Sequence, residues 1–278
     1  MENWTVRSLL QWAREWLGRK GVENPRLDAE LLLAHALGCD RTRLYVDFDK
    51  PLGADELRRF KPLLQRRGTR EPVAYILGVK EFYGRPFAVR KGVFIPRPET
   101  ELLVQLALEA KPGRALDLCA GSGIVGISLA AERPETRVDL IELSPESAAV
   151  ARENAERLAP GRVRVLEGDL FAALPEEFRY DAITANPPYI AANETLSPDI
   201  VEHEPHLALF GGQDGLDVIR RIVVEVPRWL APAAFFAMEI DPPQRETVEE
   251  LCREAGLREV RCVRDLAGLE RHVVARGA

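Results

Sequence analysis

Leu116-Asp117-Leu118-Cys119-Ala120-Gly121-Ser122-Gly123-Ile124-Val125-Gly126 decides how the rest of this chain is read. The apolar run Arg114–Leu118 predicts a buried strand, and Gly123–Glu132 predicts a helix starting straight after the glycines. Gly121, Gly123 and Gly126 satisfy G-x-G-x-x-G, a turn that brings backbone close to a ligand and packs a helix tightly on its strand. The same alternation continues outward. Strands are expected at Arg137–Glu142, Val163–Glu167, Tyr180–Ala185 and Ala233–Ile240, with helices at Pro145–Leu158 and Leu216–Leu230. Alternating strands and helices mean a mainly parallel sheet covered on both faces. Beyond Gly256, the runs Glu259–Arg264 and Glu270–Ala275 flank Asp265-Leu266-Ala267-Gly268-Leu269 and read as an antiparallel hairpin on the sheet edge. The fold class is therefore α/β.

The chain ahead of this unit reads differently. Thr5 is a candidate cap for an amphipathic helix through Lys20, with Val6, Leu9, Leu10, Ala13 and Leu17 on one face. Pro25 opens a second helix, Arg26–Leu37, which Gly38 stops, and a third runs from Asp55 to about Arg67. Tyr75–Val89 reads as two short strands around a turn. The expected organisation is a helical substrate-docking domain at 1–73, a β-hairpin connector at 74–91, and a catalytic domain at 92–278. Arg58, Arg59, Lys61, Arg66, Arg67 and Arg70 form a basic cluster on the third helix. It reads equally as a solvated face or as a docking surface for a macromolecular partner. In Phe94-Ile95-Pro96-Arg97-Pro98-Glu99-Thr100-Glu101, two prolines hold an extended segment, and Thr100 or Glu99 is a candidate cap for the helix Glu101–Ala110. Arg97 and Glu99 read either as a surface pair or as cleft residues.

Composition excludes several classes. Of 278 residues, 46% are hydrophobic and 29% charged, a globular mix, and no apolar run reaches the ~18 residues a membrane span needs. Charges throughout Met1–Leu17 argue against a signal peptide. Cys39, Cys119, Cys252 and Cys262 are scattered without C-x-x-C, which predicts free thiols in a reducing compartment. The first eighty residues carry a net charge of +4 and the remainder −10. An acidic main domain is a poor surface for duplex phosphates.

Glu142 ends the second strand 21 positions after Gly121, where a carboxylate can accept from both ribose hydroxyls. To that point a nicotinamide dinucleotide and S-adenosylmethionine fit equally. They differ in charge: a pyrophosphate wants a bare helix N-terminus, whereas S-adenosylmethionine carries an ammonium and a sulfonium. Asp117 is placed to meet that ammonium, or else to cap loop N–H groups. Gly168-Asp169-Leu170-Phe171 ends the third strand; Asp169 can accept from an adenine amino group and Phe171 can cover the ring, or the pair is a turn and a core aromatic. Three acidic corners on successive strands favour the methyl donor.

The fourth strand stops at Asn186-Pro187-Pro188-Tyr189. Neither proline has an N–H and both fix φ, so the corner is stiff. An amide nitrogen is a poor nucleophile because its lone pair is shared with the carbonyl. A site can still accept both of its hydrogens. The Asn186 side-chain oxygen and the Pro187 carbonyl are the expected acceptors, with Tyr189 stacked on the planar amide and Pro188 holding the corner.

D-L-C-A-G-S-G, I-E-L-S, G-D-L-F and N-P-P-Y resemble the ordered motifs of class I S-adenosylmethionine methyltransferases. With F-I-P-R-P-E-T-E and the helical N-terminal domain, nearly the whole chain resembles the release factor glutamine methyltransferases (the HemK/PrmC family). The resemblance implies a seven-stranded Rossmann-like sheet and methylation of the glutamine of the Gly-Gly-Gln tripeptide in class-one bacterial peptide chain release factors. The expected protein is a cytoplasmic monomer that engages no nucleic acid, membrane or metal directly, and the resemblance implies S-adenosylhomocysteine as the product. It also implies cofactor contacts from Arg97, Glu99 and Thr100; from Asp117, Cys119, Ala120, Gly121, Ser122, Gly123 and Ile124; from Glu142 and Leu143; and from Asp169, Leu170, Phe171 and Asn186. Cys119 stands where many methyltransferases have glycine, which costs about 1–2 kcal/mol if the site needs positive φ. Two alternatives are kept: an adenine-N6 methyltransferase, since that base presents the same planar NH₂, and a dinucleotide-dependent oxidoreductase. The chain's own Gly211-Gly212-Gln213 reads as a turn leading to an Asp214 cap rather than as a substrate. Glu202-His203-Glu204-Pro205-His206 reads as a surface loop, not a metal site.

Overall fold

Thr5 caps the first helix as its sequence predicts. Its hydroxyl accepts the Ser8 N–H at 3.2 Å, its own N–H donates to the Ser8 hydroxyl at 2.9 Å, and helix α1 runs Val6–Arg19. In this computed structural model, residues 4–175 and 178–278 are described, so the first three residues of the expected helical domain lie outside the described residues. Helix α2 (Pro25–Leu37) starts on a proline and ends at Gly38, whose φ of 66° is the left-handed stop. Then come α3 (Arg41–Val46), α4 (Ala54–Gly68) and α5 (Val73–Leu77). Helix α3 is too short for its periodicity to register in sequence; Asp40 starts it by accepting the Arg43 N–H at 2.8 Å. Val73–Leu77 is helical where the sequence places the start of the hairpin connector. Pro72 opens that turn and Gly78, at φ 72°, closes it. The hairpin is thereby confined to β1 (Val79–Phe82) and β2 (Arg85–Ala88).

Two compact units form. One holds the chain up to Val79 together with Ser197–His203; the other holds Lys80–Leu196 and Glu204–Ala278. In the first unit, Val6, Leu9, Ala13 and Leu17 of α1 pack with Leu32 and Leu33 of α2 and Leu64 of α4. The basic cluster of α4 is largely engaged inside this unit. Arg67 binds Asp28 at 2.6 Å and Asp199 at 2.9 Å, Arg70 also pairs with Asp199, Arg58 pairs with Asp55, and Arg66 reaches Glu71 at 2.5 Å.

The second unit is built on strands β3 (Arg114–Leu118), β4 (Arg137–Glu142), β5 (Val163–Glu167), β6 (Tyr180–Ala185), β7 (Leu230–Glu239), β8 (Arg258–Arg264) and β9 (Glu270–Arg276). Their order is β5-β4-β3-β6-β7-β9-β8. The first five run parallel, and β9 inserts antiparallel between β7 and β8. Helices α6 (Glu101–Glu109), α7 (Ile124–Glu132), α8 (Pro145–Leu158), α10 (Asp217–Trp229) and α11 (Arg245–Glu254) belong to this unit, while the short α9 (Pro198–Val201) falls in the first. Separate apolar clusters form the core, one around Leu116, Phe236 and Trp229, the other around Val104, Ile127 and Val274. Chain order reverses at β3, whose neighbours β4 and β6 lead off to opposite sides. Ligands of open α/β sheets bind outside the strand carboxyl ends at such a point. The register there sets Asp117 opposite Thr184 and Leu118 opposite Ala185.

Candidate active site

A cavity of ≈ 470 Å³ opens at the carboxyl ends of β3, β4 and β6. Its floor is the glycine turn. Cys119 sits at φ 54° and Gly121 at φ 57°, the left-handed region that a side chain resists. Among the described residues nothing lies within 4 Å of the Cβ position of Gly121, so that glycine serves the turn itself. Gly126 serves packing: a Cβ there would meet Leu140 at 2.3 Å, so α7 lies directly on β4. The Cys119 thiol is pushed well above its ordinary range by burial and by the Glu142 and Asp117 carboxylates, which makes it a packing group rather than a nucleophile.

Among the described residues four acids line this cavity, Asp117, Glu142, Glu146 and Asp169, and of these Asp117 and Glu142 are buried. Asp117 is 2% exposed, accepts the Thr184 hydroxyl at 2.8 Å and accepts the Gly126 N–H at 3.0 Å. Burial pushes it up to about 7, against those two hydrogen bonds and with the added repulsion of Glu142. Glu142 accepts the Gly121 N–H at 2.7 Å and the Ser144 N–H at 2.8 Å, and burial raises it too. Among the described residues no cationic side chain pairs with either buried acid. Asp169 differs: Arg221 pairs with it at 2.8 Å.

The N-P-P-Y corner closes one side. Asn186 donates through Nδ2 to the Thr100 hydroxyl oxygen at 3.2 Å, and that hydroxyl donates to Glu239 at 2.7 Å. The Tyr189 hydroxyl donates to the other Glu239 oxygen at 3.2 Å, and burial beside that carboxylate keeps the phenol protonated. The corner is braced from behind by the Gly211–Gly215 turn. A Cβ on Gly211 would meet the Pro188 carbonyl at 2.4 Å, and one on Gly215 the Tyr189 carbonyl at 2.1 Å. The chain's own Gly-Gly-Gln is thus a bracing turn, with Gln213 exposed and Asp214 accepting the Leu216 N–H at 3.1 Å.

Three comparisons bear on this arrangement. Residues 8–78 match the "PrmC N-terminal domain" model and residues 88–207 the "Methyltransferase small domain" model. The chain is 44% identical to the release factor glutamine methyltransferase of Geobacter sulfurreducens, covering 99% of this chain and 98% of that one. It is 38% identical to that of Rhodopirellula baltica, covering 96% and 95%. The chain belongs to the release factor glutamine methyltransferase family. A solved methyltransferase from Pyrococcus furiosus, 18% identical, has the same fold, with a TM-score of 0.56 over 80% of this chain and 99% of that one.

In this release factor glutamine methyltransferase family member, most expected site residues meet in the cavity. Thr100, Asp117, Cys119, Ala120, Gly121, Ser122, Ile124, Glu142, Leu143, Asp169, Leu170, Asn186, Pro187, Pro188 and Tyr189 all line it. Four do not. Phe171 is 2% exposed and stacks on Trp229 with ring centroids 5.7 Å apart, so it is core and Leu170 takes the wall position. Gly123 starts α7 at φ 82°, with its Cβ position directed at Ile127. Arg97 turns to Glu204 at 2.5 Å and lies over the Phe94 ring. Glu99 is exposed, outside the cavity lining. Thr100 caps no helix with its side chain; Pro98–Thr100 form a 3-10 turn instead. Nor is Glu204 a surface residue. It is 5% exposed and accepts the Ile95 N–H at 3.1 Å. That anchor precedes Pro205–Phe210, a cavity wall that sequence reading missed. Ile190 and Phe210 join it to the corner through a parallel bridge. Glu239 was equally legible in principle: it is one more acid ending a buried strand. Among the described residues no group of acids, histidines and cysteines could hold a metal, and no helix is long and apolar enough to cross a membrane.

Proposed function

We propose that this chain transfers a methyl group from S-adenosylmethionine to the side-chain amide nitrogen of the glutamine in the Gly-Gly-Gln motif of class-one bacterial peptide chain release factors. It does so in the cytoplasm, as a monomer, with the helical N-terminal domain helping to dock the substrate. The carrying observation is that one cavity joins two desolvated, unpaired carboxylates to a fixed amide acceptor. Buried carboxylates without cations fit a cationic cofactor and repel a pyrophosphate. This favours S-adenosylmethionine over a dinucleotide.

When bound, the cofactor supplies a methyl group on a sulfonium, an electrophile that needs no activation by a general base. Asp117 holds the ammonium, Glu142 the ribose hydroxyls. Leu143 and Leu170 give the adenosine apolar walls. The Asn186 Oδ1 and the Pro187 carbonyl accept the two hydrogens of the incoming amide and aim its lone pair. Pro188 keeps these acceptors from relaxing, and the Tyr189 ring packs on the amide plane. Bound there, the cofactor would supply its methyl group to that lone pair, and the amide nitrogen would give up a proton to water. Charge disperses in that displacement, so positioning contributes most of the acceleration. Adenine N6 presents the same planar NH₂, but the acidic balance of residues 81–278 disfavours a nucleic-acid substrate.

The test is incubation with isotopically labelled S-adenosylmethionine and a class-one release factor, with the modified residue mapped by fragmentation. Label on the Gly-Gly-Gln glutamine is the expected result. Label confined to nucleic acid, or to another side chain, overturns the proposal.

A further inference from the structure

We propose that Thr100 and Glu239 are positioning residues that set which way the Asn186 amide points. The inference rests on the amide-methylating reading and assigns the parts that enforce it. A threonine hydroxyl has one hydrogen to give. Glu239 is 2% exposed, its Oε2 is 2.7 Å from Thr100 Oγ1, and a carboxylate only accepts, so that hydrogen is committed to Glu239. The Thr100 oxygen is left as an acceptor, 3.2 Å from Asn186 Nδ2. An asparagine turned over would set Oδ1 against Oγ1, lone pair against lone pair, and point its own NH₂ at the cavity. A substrate NH₂ would then meet a donor where it needs an acceptor.

Glu239 reaches the corner twice. It ends β7, beside β6, and its Oε1 accepts the Tyr189 hydroxyl at 3.2 Å. One buried carboxylate therefore ties two of the four corner side chains. His272 of β9 stands opposite Glu239 in the strand register, fully buried, with Nε2 at 3.7 Å from the carboxylate. Among the described residues neither His272 ring nitrogen has a hydrogen-bond partner. Among the described residues, Thr100 and Tyr189 are the hydrogen-bond donors to the carboxylate.

The test uses the full-length protein and three variants: Thr100→Val, Thr100→Ser and Glu239→Leu. Turnover on a release factor at saturating cofactor is read beside cofactor affinity by calorimetry. The side-chain amide resonances of Asn186, assigned by their loss in Asn186→Ala, are read as well. Thr100→Val should lower kcat by about tenfold to hundredfold. Cofactor affinity should stay within about threefold, and the Asn186 amide protons should move upfield as their acceptor is lost. Thr100→Ser keeps the hydroxyl and should recover most of the turnover and the resonance position. Glu239→Leu should resemble Thr100→Val; if it does not fold, the valine and serine pair decides. Unchanged kcat in Thr100→Val overturns the proposal. So does a loss of cofactor affinity equal to the loss of turnover, which would make Thr100 part of the cofactor cradle. If the wild-type protein methylates no release factor, the functional reading falls, and the amide resonances alone judge the orientation.

Discussion

Thr184→Val is the perturbation that most directly tests the acid beneath the cavity. The Thr184 hydroxyl gives Asp117 one of its two hydrogen bonds, at 2.8 Å, and valine replaces it with a methyl of similar size. A hydrogen bond to a charged group contributes about 1.5 kcal/mol, which is about one pKa unit. Asp117 should therefore rise from about 7 to about 8. If the ionised carboxylate holds the cofactor ammonium, affinity follows the ionised fraction of the free protein. At pH 6 that fraction falls from about one-tenth to about one-hundredth, and at pH 8 from about nine-tenths to about one-half. Titration calorimetry with S-adenosylmethionine should thus find Thr184→Val about tenfold weaker at pH 6 and only about twofold weaker at pH 8. Binding at pH 6 should release a proton in both proteins. A loss that is equal at both pH values, or no proton release, would refute the assignment of Asp117 to the ammonium. The sign for stability is opposite. The folded, ligand-free protein holds this proton more tightly than the unfolded chain. Its contribution is complete below about pH 4 and is lost as pH rises through about 7.

Asn186→Ala should nearly abolish methyl transfer while leaving cofactor affinity within about threefold, measured by steady-state rates beside calorimetry. Gly215→Ala has both a φ of 76° and a backbone carbonyl 2.1 Å from the new methyl; it should lose more than about 2 kcal/mol in urea unfolding and most of its turnover, because the Tyr189 carbonyl must move. Phe171→Ala should cost about 3–5 kcal/mol of stability, and at permissive temperature its cofactor affinity should stay close to wild type, since the ring packs on Trp229 outside the cavity lining. Tyr180→Phe removes a 2.8 Å hydrogen bond to buried Asp139 and should cost about 1–3 kcal/mol in thermal unfolding with turnover unchanged.

The strands and most helices could be read because each carries its own signal. Leu116, Leu118, Ile141 and Ala185 lie in buried runs bounded by glycine, acid or proline, and these are the runs that become β3, β4 and β6. Pro25 and Gly38 likewise bracket α2 in sequence and in structure. The contacts that no sequence pattern announced are those made with partners far along the chain. Arg97 finds Glu204, Thr100 finds Glu239, and Phe171 finds Trp229. No local period encodes such meetings. Chemistry-bearing corners survive translation from sequence to site because a strand end fixes position by itself. Side chains between elements, such as the Pro205–Phe210 wall, are placed by tertiary anchors that a one-dimensional pattern does not carry.

The return of Ser197–His203 to the helical unit matters to anyone dissecting this enzyme. A catalytic fragment starting at Lys80 would look clean on paper. It would nonetheless strip Asp199 of both guanidiniums that bind it, Arg67 and Arg70. The orphaned stretch begins seven positions after Ile190 and ends one residue before the buried Glu204. Weak activity in such a truncation would report the loss of these ion pairs as readily as the loss of the helices themselves. A cleaner dissection keeps the chain whole and changes Arg59 and Lys61, the two cluster cations without a salt bridge among the described residues.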